Sequence, residues 1–212
     1  PYQGHMVRPS DGKEPSKIAW IQCVGSRNVK IDHDYCSSVC CMYAIKEAVI
    51  AKEHSPGDLE TTIFMMDMRS YGKDFEKYYT RARDEQGVRF VKSRIFSVNP
   101  APDGSDNLAI RYSDEEGNVY WEEFDMVVLS VGFKASCGSK ELAKAAGVEL
   151  NEFGFCKTQE FSKAMTTQQG IFASGVFAGP KDIPETVVDA SAAAGYASRM
   201  LSEARGTLTK VK

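Results

Sequence analysis

The sequence has no apolar run near the roughly 20 residues a helix needs to cross a bilayer, so no membrane span is expected. No charged-then-apolar leader opens it, and a chain without an export signal is expected to be cytoplasmic, in a reducing compartment. It has no basic stripe. Its 26 lysines and arginines stand against 29 aspartates and glutamates, a net charge of −3, which argues against a nucleic-acid partner. It has no G-x-G-x-x-G, the fingerprint whose glycines let the backbone approach a dinucleotide pyrophosphate. It also has no C-x-x-C, the spacing a thiol–disulfide exchanger prefers, and no internal repeat or low-complexity tract.

What is there is ordinary globular material: 212 residues, 42% hydrophobic and 26% charged, enough for one large domain or two small ones. PYQGHM at the start reads as a cloning remnant with Met6 opening the insert, so residues 1–16 are taken as tag remnant and linker. Residues 17–131 alternate. A strand over Lys17–Val24 precedes a polar loop and a helix over Ser37–Glu53, stopped by Ser55-Pro56-Gly57. Thr61–Met68 reads as a buried strand, Asp74–Gln86 as a helix closed by Gly87, and Val88–Val98 as a strand. Leu108–Tyr112 and Val119–Phe124 read as a hairpin, and Met126–Val131 as one more buried strand. Strand–helix alternation predicts an α/β fold, a Rossmann-like parallel sheet with a β-hairpin addition. Residues 132–212 differ in character, with a helix at Lys140–Ala146, a short strand at Gly170–Ser174 and a long alanine-rich helix from about Pro184 to Ala204.

The six cysteines are not spread as a disulfide framework would be. Cys23, Cys36, Cys40 and Cys41 form C-x12-C-x3-C-C, leaving Cys137 and Cys156 apart, both read as structural. Clustered thiols in a reducing compartment point to metal or redox chemistry. Soft thiolates suit an iron–sulfur cluster, which takes four of them. Zinc is the nearest rival, although structural zinc favours two short cysteine knuckles over one isolated cysteine and a bunched C-x3-C-C. A redox dithiol and simple burial stay open too. A helix reaching back to Cys36, capped by Ser37 or Ser38, would put Cys36 and Cys40 on consecutive turns, with partial positive charge favouring thiolates. Cys23 ends the first strand where a dinucleotide loop would begin; Cys23–Arg27 (CVGSR) carries one glycine only, so nicotinamide binding there is not expected.

At about 100° per residue, Val39, Met42, Tyr43, Val49 and Ile50 form one apolar face of this helix with Lys46 near its centre. Cys40, Cys41, Ala44 and Ala48 outline a face of small residues. A lysine so placed snorkels to water, or else is a buried cation beside a cofactor.

IQCVGSR, YCSSVCCMYAIKEA and GIFASGVFAGPKDIPETVVDASAAAGYA closely resemble the A subunit of heterodisulfide reductase and its relatives in anaerobic bacteria and archaea, over roughly Lys17 to Ala204. The resemblance implies a thioredoxin-reductase-like (pyridine-nucleotide-disulfide-oxidoreductase-like) module that binds FAD and carries extra clusters. It implies that Cys23, Cys36, Cys40 and Cys41 are [4Fe-4S] ligands and that Lys46 lies near the flavin. Residues 132–212 would then be the returning half of an FAD-binding domain, whose first half, with the glycine fingerprint, is not in this sequence. Gly175, Val176, Lys181, Asp182, Ile183 and Pro184 would face the cofactor, with the start of the long helix offering amides and dipole to negative charge. One departure stands out: relatives of thioredoxin reductase commonly carry an acidic residue where this chain has Val176.

The function so implied is electron transfer between FAD and iron–sulfur clusters, in a complex with other electron-transfer subunits and compatible with a homodimer. The parent protein would be an oxidoreductase component of anaerobic metabolism, and this stretch is not expected to turn over alone. A thiol–disulfide oxidoreductase and a zinc-stabilised interaction module are the alternatives.

Overall fold

The computed structural model describes residues 6–205; the first five residues of the stretch read as a cloning remnant lie outside them. The chain divides into two compact units: residues 1–25 with 40–132, and residues 26–39 with 133–212.

In the first unit, β1 (Lys17–Val24) is almost wholly apolar because both its faces are covered. Ile18 and Trp20 pack on α1 (Cys40–His54), in a cluster with Ala44, Ile45 and Ala48. Ala19 and Ile21 point the other way, into a cluster with Phe64, Ile110, Tyr112 and Phe124. Trp20 also donates from its indole nitrogen to Glu47 Oε2 at 3.0 Å, tying strand to helix. The unit continues through β2 (Glu60–Met65), α2 (Phe75–Asp84), β3 (Val88–Lys92), β4 (Ser97–Pro100), β5 (Leu108–Ser113), β6 (Val119–Phe124) and β7 (Met126–Val131). Four strands form a parallel sheet in the order β3-β2-β1-β7. The other three form the antiparallel sheet β4-β5-β6 that covers its second face. This is the Rossmann-like parallel sheet with hairpin addition that the alternation predicts.

Several boundaries differ from the expectation. The helix expected from Ser37 starts at Cys40, because Ser38 sits in the left-handed region (φ 65°) and cannot open a right-handed turn. Cys36 and Cys40 therefore do not lie on consecutive helical turns. The strand expected over Val88–Val98 is two strands, β3 in the parallel sheet and β4 in the antiparallel one. Within the segment read as linker, Met6 packs on the α1 side of the core and Arg8 bonds Asp11 and Asn107.

A partly exposed charge network ties β1, β3, β5 and β6 together, with the Glu122 side chain largely covered and that of Arg89 nearly half exposed. Glu122 accepts from Lys17 Nζ (2.9 Å), from both Arg89 Nη atoms (2.9 and 2.5 Å) and from the Tyr112 hydroxyl (2.9 Å). Burial raises the Glu122 pKa, but these donors outweigh it and hold the carboxyl down at about 2. A carboxyl with a depressed folded-state pKa adds stability above its unfolded value and loses it as pH falls through the folded one. Denaturant unfolding should therefore show Glu122→Gln clearly less stable than the parent near neutral pH. The gap should close as pH drops from the ordinary carboxylate range toward about 2. A gap independent of pH would reject the assignment.

The second unit holds α3 (Ser139–Ala146), the short strands β8 (Thr158–Gln159) and β9 (Ser162–Thr166), and α4 (Ile183–Arg205). Its core joins Ala143, Val148, Cys156 and Ala173. The Tyr35 ring packs on Phe153 and Phe155 at 4.7 and 5.6 Å, and its hydroxyl donates to Phe133 O, anchoring the 26–39 segment in this unit. The strand expected at Gly170–Ser174 is reduced to one bridge, Met165 to Phe172, followed by a single 3-10 turn over Gly175–Ala178.

Candidate functional site

β1 loses its regular pairing near its end. Ile21 pairs with Leu129 and Val24 with Val131, with a register shift between them. Cys23 lies inside this shift in the left-handed region, φ 60°, a conformation that costs a non-glycine residue free energy. Among the described residues, five non-glycines have positive φ, and four of them (Cys23, Arg27, Asp32, Ser38) fall in the stretch that joins the cysteines. Such backbone persists where surrounding structure enforces it, and it clusters at functional sites.

The distortion brings Cys23 to Cys40, the first residue of α1. Cys23 bonds the Cys40 sulfur through both its thiol and its backbone N–H, and Cys41 bonds Cys40 from the other side. Cys40 and Cys41 are 2% and 3% exposed. The bond from Cys23 lowers the Cys40 pKa, but the bond to Cys41 and burial prevail and push it up to about 11. Cys40 thus keeps its proton at neutral pH and is a poor nucleophile. Only a bound cation that replaces the proton makes it a thiolate.

Tyr43, one turn along α1, donates its hydroxyl to Val131 O at 2.9 Å. Burial, with the negative charge that Cys40 takes on only at high pH, pushes its pKa up to about 12, so it stays a donor.

Cys36 belongs to the 26–39 segment. It is partly buried, and its sulfur accepts from Ser38 N at 3.4 Å. Ser37, expected as a helix cap, instead donates to Ser26 Oγ and accepts from Phe133 N. Of the four clustered cysteines, three thus lie in one unit, with Cys40 bonded to both Cys23 and Cys41, and the fourth belongs to the other unit. Among the described residues, no group of three or more His, Cys, Asp or Glu side chains is arranged as a ready-made metal site. None of the six cysteines is in a disulfide. The donor chemistry of the trio, soft and largely shielded from water, nonetheless fits a thiophilic metal or an iron–sulfur group.

Lys46 is exposed on α1. The buried side of the helix is the small-residue side (Cys40, Cys41, Ala44, Ala48) with Ile45, Val49 and Ala51, while Ile50 is 41% exposed. The apolar face expected around Lys46 is thus not the one that faces the sheet. Small side chains win because they let α1 approach the strands closely.

In the second unit, Gly175 takes φ 67° beneath α4, and a Cβ there would stand 3.3 Å from Thr186 Cγ2. The close approach expected at this glycine is thus already made to the helix. Val176 is 51% exposed. Lys181 is paired with Asp189 along α4, both side chains largely covered. Asp182 and Glu185 form a reciprocal capping box: Asp182 N donates to Glu185 Oε2 (2.9 Å) and Glu185 N to Asp182 Oδ1 (2.8 Å). Ile183 is 80% exposed, and Pro184, with no N–H to lose, fits the first turn. Ile183, Val187, Val188 and Leu201 leave α4 with substantial uncovered apolar surface.

Cys156 is buried in the core of this unit, where desolvation raises its thiol pKa, but Cys137 is exposed, against the expectation of two buried structural cysteines. Sequence reading passes over two neighbours of the thiol trio. Tyr43 reads as one more apolar helix residue, although its spacing from Cys40 puts it one turn along the same side. Gln22 is easily missed as the single polar residue inside β1.

The family model for pyridine nucleotide-disulphide oxidoreductase matches residues 59–194. The iron-sulfur A subunit of the CoB–CoM heterodisulfide reductase of Methanocaldococcus jannaschii is 40% identical over 100% of this chain and 32% of its own length. The A subunit of the H(2):CoB-CoM heterodisulfide,ferredoxin reductase of Methanothermobacter thermautotrophicus is 39% identical over 93% of this chain and 30% of its own. Among solved structures, LpdA from Mycobacterium tuberculosis superposes over 84% of this chain and 34% of its own with a TM-score of 0.48 at 14% identity. The chain spans about a third of the length of the curated relatives it matches.

Proposed function

The chain belongs to the pyridine nucleotide-disulphide oxidoreductase family, and from there we propose that it is the cluster-bearing part of a heterodisulfide-reductase-A-like electron-transfer subunit. Cys23, Cys36, Cys40 and Cys41 are its [4Fe-4S] ligands, and FAD is the second cofactor of the full protein. The observation that supports the reading is the Cys40 thiol bonded to both Cys23 and Cys41, with Cys40 and Cys41 buried and Cys23 half-buried and strained. A bound cluster supplies one-electron transfer, with a flavin as the two-electron partner. The residues present do the rest: β1 and α1 hold the sulfurs at one sheet edge, and burial of Cys40 and Cys41 limits access of water.

Gly175, Val176, Lys181, Asp182, Ile183 and Pro184 are assigned to the flavin side, and Lys46, exposed on α1, is the cation assigned near that cofactor. The uncovered apolar residues of α4 suit a surface that meets the remainder of a flavin domain. Other electron-transfer subunits, and a second copy of the protein, are the proposed partners. No helix among the described residues is long and apolar enough to cross a membrane, in keeping with the proposed cytoplasmic location. A thiol–disulfide exchanger is disfavoured because its attacking sulfur needs a low pKa, and that of Cys40 is raised.

Anaerobic reconstitution with iron and sulfide, followed by assay of both, tests the reading. Near-stoichiometric iron and sulfide with a visible chromophore bleached by dithionite is expected. A colourless protein that takes up zinc alone would overturn it.

A further inference from the structure

Immediately before Cys23 in β1 stands a polar side chain that nothing in the fold explains. Gln22 is 8% exposed, and both its Nε2 and its Oε1 are buried without a hydrogen-bond partner. Strand alternation puts it on the α1 side of the sheet, in line with Ile18 and Trp20, immediately before the distorted Cys23. Across the β1–β7 pairing, Ser130 occupies the equivalent place, one residue past the Ile21–Leu129 pair. Ser130 is fully buried and its Oγ makes no well-formed hydrogen bond, with the Tyr43 hydroxyl near enough to interact with it. Buried polar groups are nearly always satisfied, and an orphaned carboxamide with both ends dry is costly. A leucine or methionine in the same place would avoid that cost, so the amide calls for a partner that is not a protein atom.

We infer that the Gln22 carboxamide is a positioning and tuning residue for the sulfur-rich group held by Cys23, Cys40 and Cys41, donating an amide N–H to one of its sulfurs. This rests on the reading of the cysteines as cluster ligands. Gln22 ligates nothing itself. Reduction adds negative charge to such a group, and a donor aimed at sulfur from a dry site stabilises the more negative state, raising the reduction potential.

The test compares the parent chain with Gln22→Leu and Gln22→Met, each reconstituted anaerobically with iron and sulfide. Iron and sulfide content, the midpoint potential from an EPR-monitored titration, and the melting temperature of the metal-free chain are measured. The expected result has three parts. Both variants hold as much iron and sulfide as the parent, both midpoint potentials shift downward, and the metal-free Met variant melts no lower than the parent. Parent-like potentials in fully loaded variants would overturn the inference and leave the ligand assignment standing, as a buried water bridging Gln22 and Ser130 would predict. A parent chain that takes up no iron and sulfide would overturn the ligand assignment and this inference together.

Discussion

Replacing Cys40 by serine is expected to abolish iron binding in a chain that still folds. Cys40 is the thiol that bonds both Cys23 and Cys41, so it is the centre of the trio. A serine hydroxyl is a hard, weakly acidic donor in place of a soft thiolate, and the site is too dry to ionise it. The side chain shrinks only slightly at the first position of α1, and serine is tolerated at helix starts, so the fold should survive. Iron content after reconstitution should fall to background in Cys40→Ser, while Cys137→Ser, at an exposed thiol, should match the parent. Parent-like iron in Cys40→Ser would reject the ligand assignment.

The largest expected loss of stability comes from the opposite face of the sheet. Phe64, 1% exposed on β2, meets Tyr112 and Phe124 edge-on at 4.9 and 5.8 Å and is the ring through which the parallel and antiparallel sheets pack. Phe64→Ala forfeits the buried area and leaves a cavity, about 3–5 kcal/mol. The two edge-on ring pairs, about 0.5–1.5 kcal/mol each, are part of that loss. Against a total domain stability of about 5–15 kcal/mol, that is enough to unfold a sizeable fraction of the protein. A urea midpoint should drop sharply for Phe64→Ala and much less for Phe64→Leu; a change below about 1 kcal/mol in the alanine variant would show that the two sheets do not depend on this ring.

The parallel sheet was legible because its strands are short, mainly apolar runs. KIAWIQCV, covered on both faces, reads as a strand and is one. MVVLSV reads as a buried strand and is an edge strand, with Leu129 and Val131 more than half exposed. The hairpin was legible from the turn at Asp114–Gly117, where Gly117 has φ 89°. The start of α1 was not, because nothing in Cys36–Val39 announces that Ser38 will be left-handed; that conformation is imposed by tertiary bonds such as those of Ser37 to Ser26 and Phe133. The buried face of α1 was misread for a related reason. Hydrophobicity grouped Ile50 with Val49 around Lys46, whereas the sheet takes Val49 together with Ala44 and Ala48 and leaves Ile50 and Lys46 exposed. The cysteines themselves were conspicuous, but their strain was hidden: only the folded backbone shows that Cys23 adopts a conformation suited to glycine. Gln22 was plain in the sequence, and what makes it notable, an amide without partners, is a property of the folded chain.

The reciprocal cap at the start of α4 sets a rule of entry for anything drawn there. Of residues Asp182 to Glu185, the amides of Asp182 and Glu185 are taken by each other's carboxylates and Pro184 has none, so Ile183 alone brings an N–H that neither carboxylate uses. Lys181, with Asp182, Glu185 and Asp189, gives this helix start one positive and three negative charges. The dipole that would welcome an anion is therefore already answered from within. An anionic guest must displace Glu185, while a neutral one with a single acceptor can dock on Ile183 without disturbing the cap. Charge at this helix start is thus balanced by its own side chains.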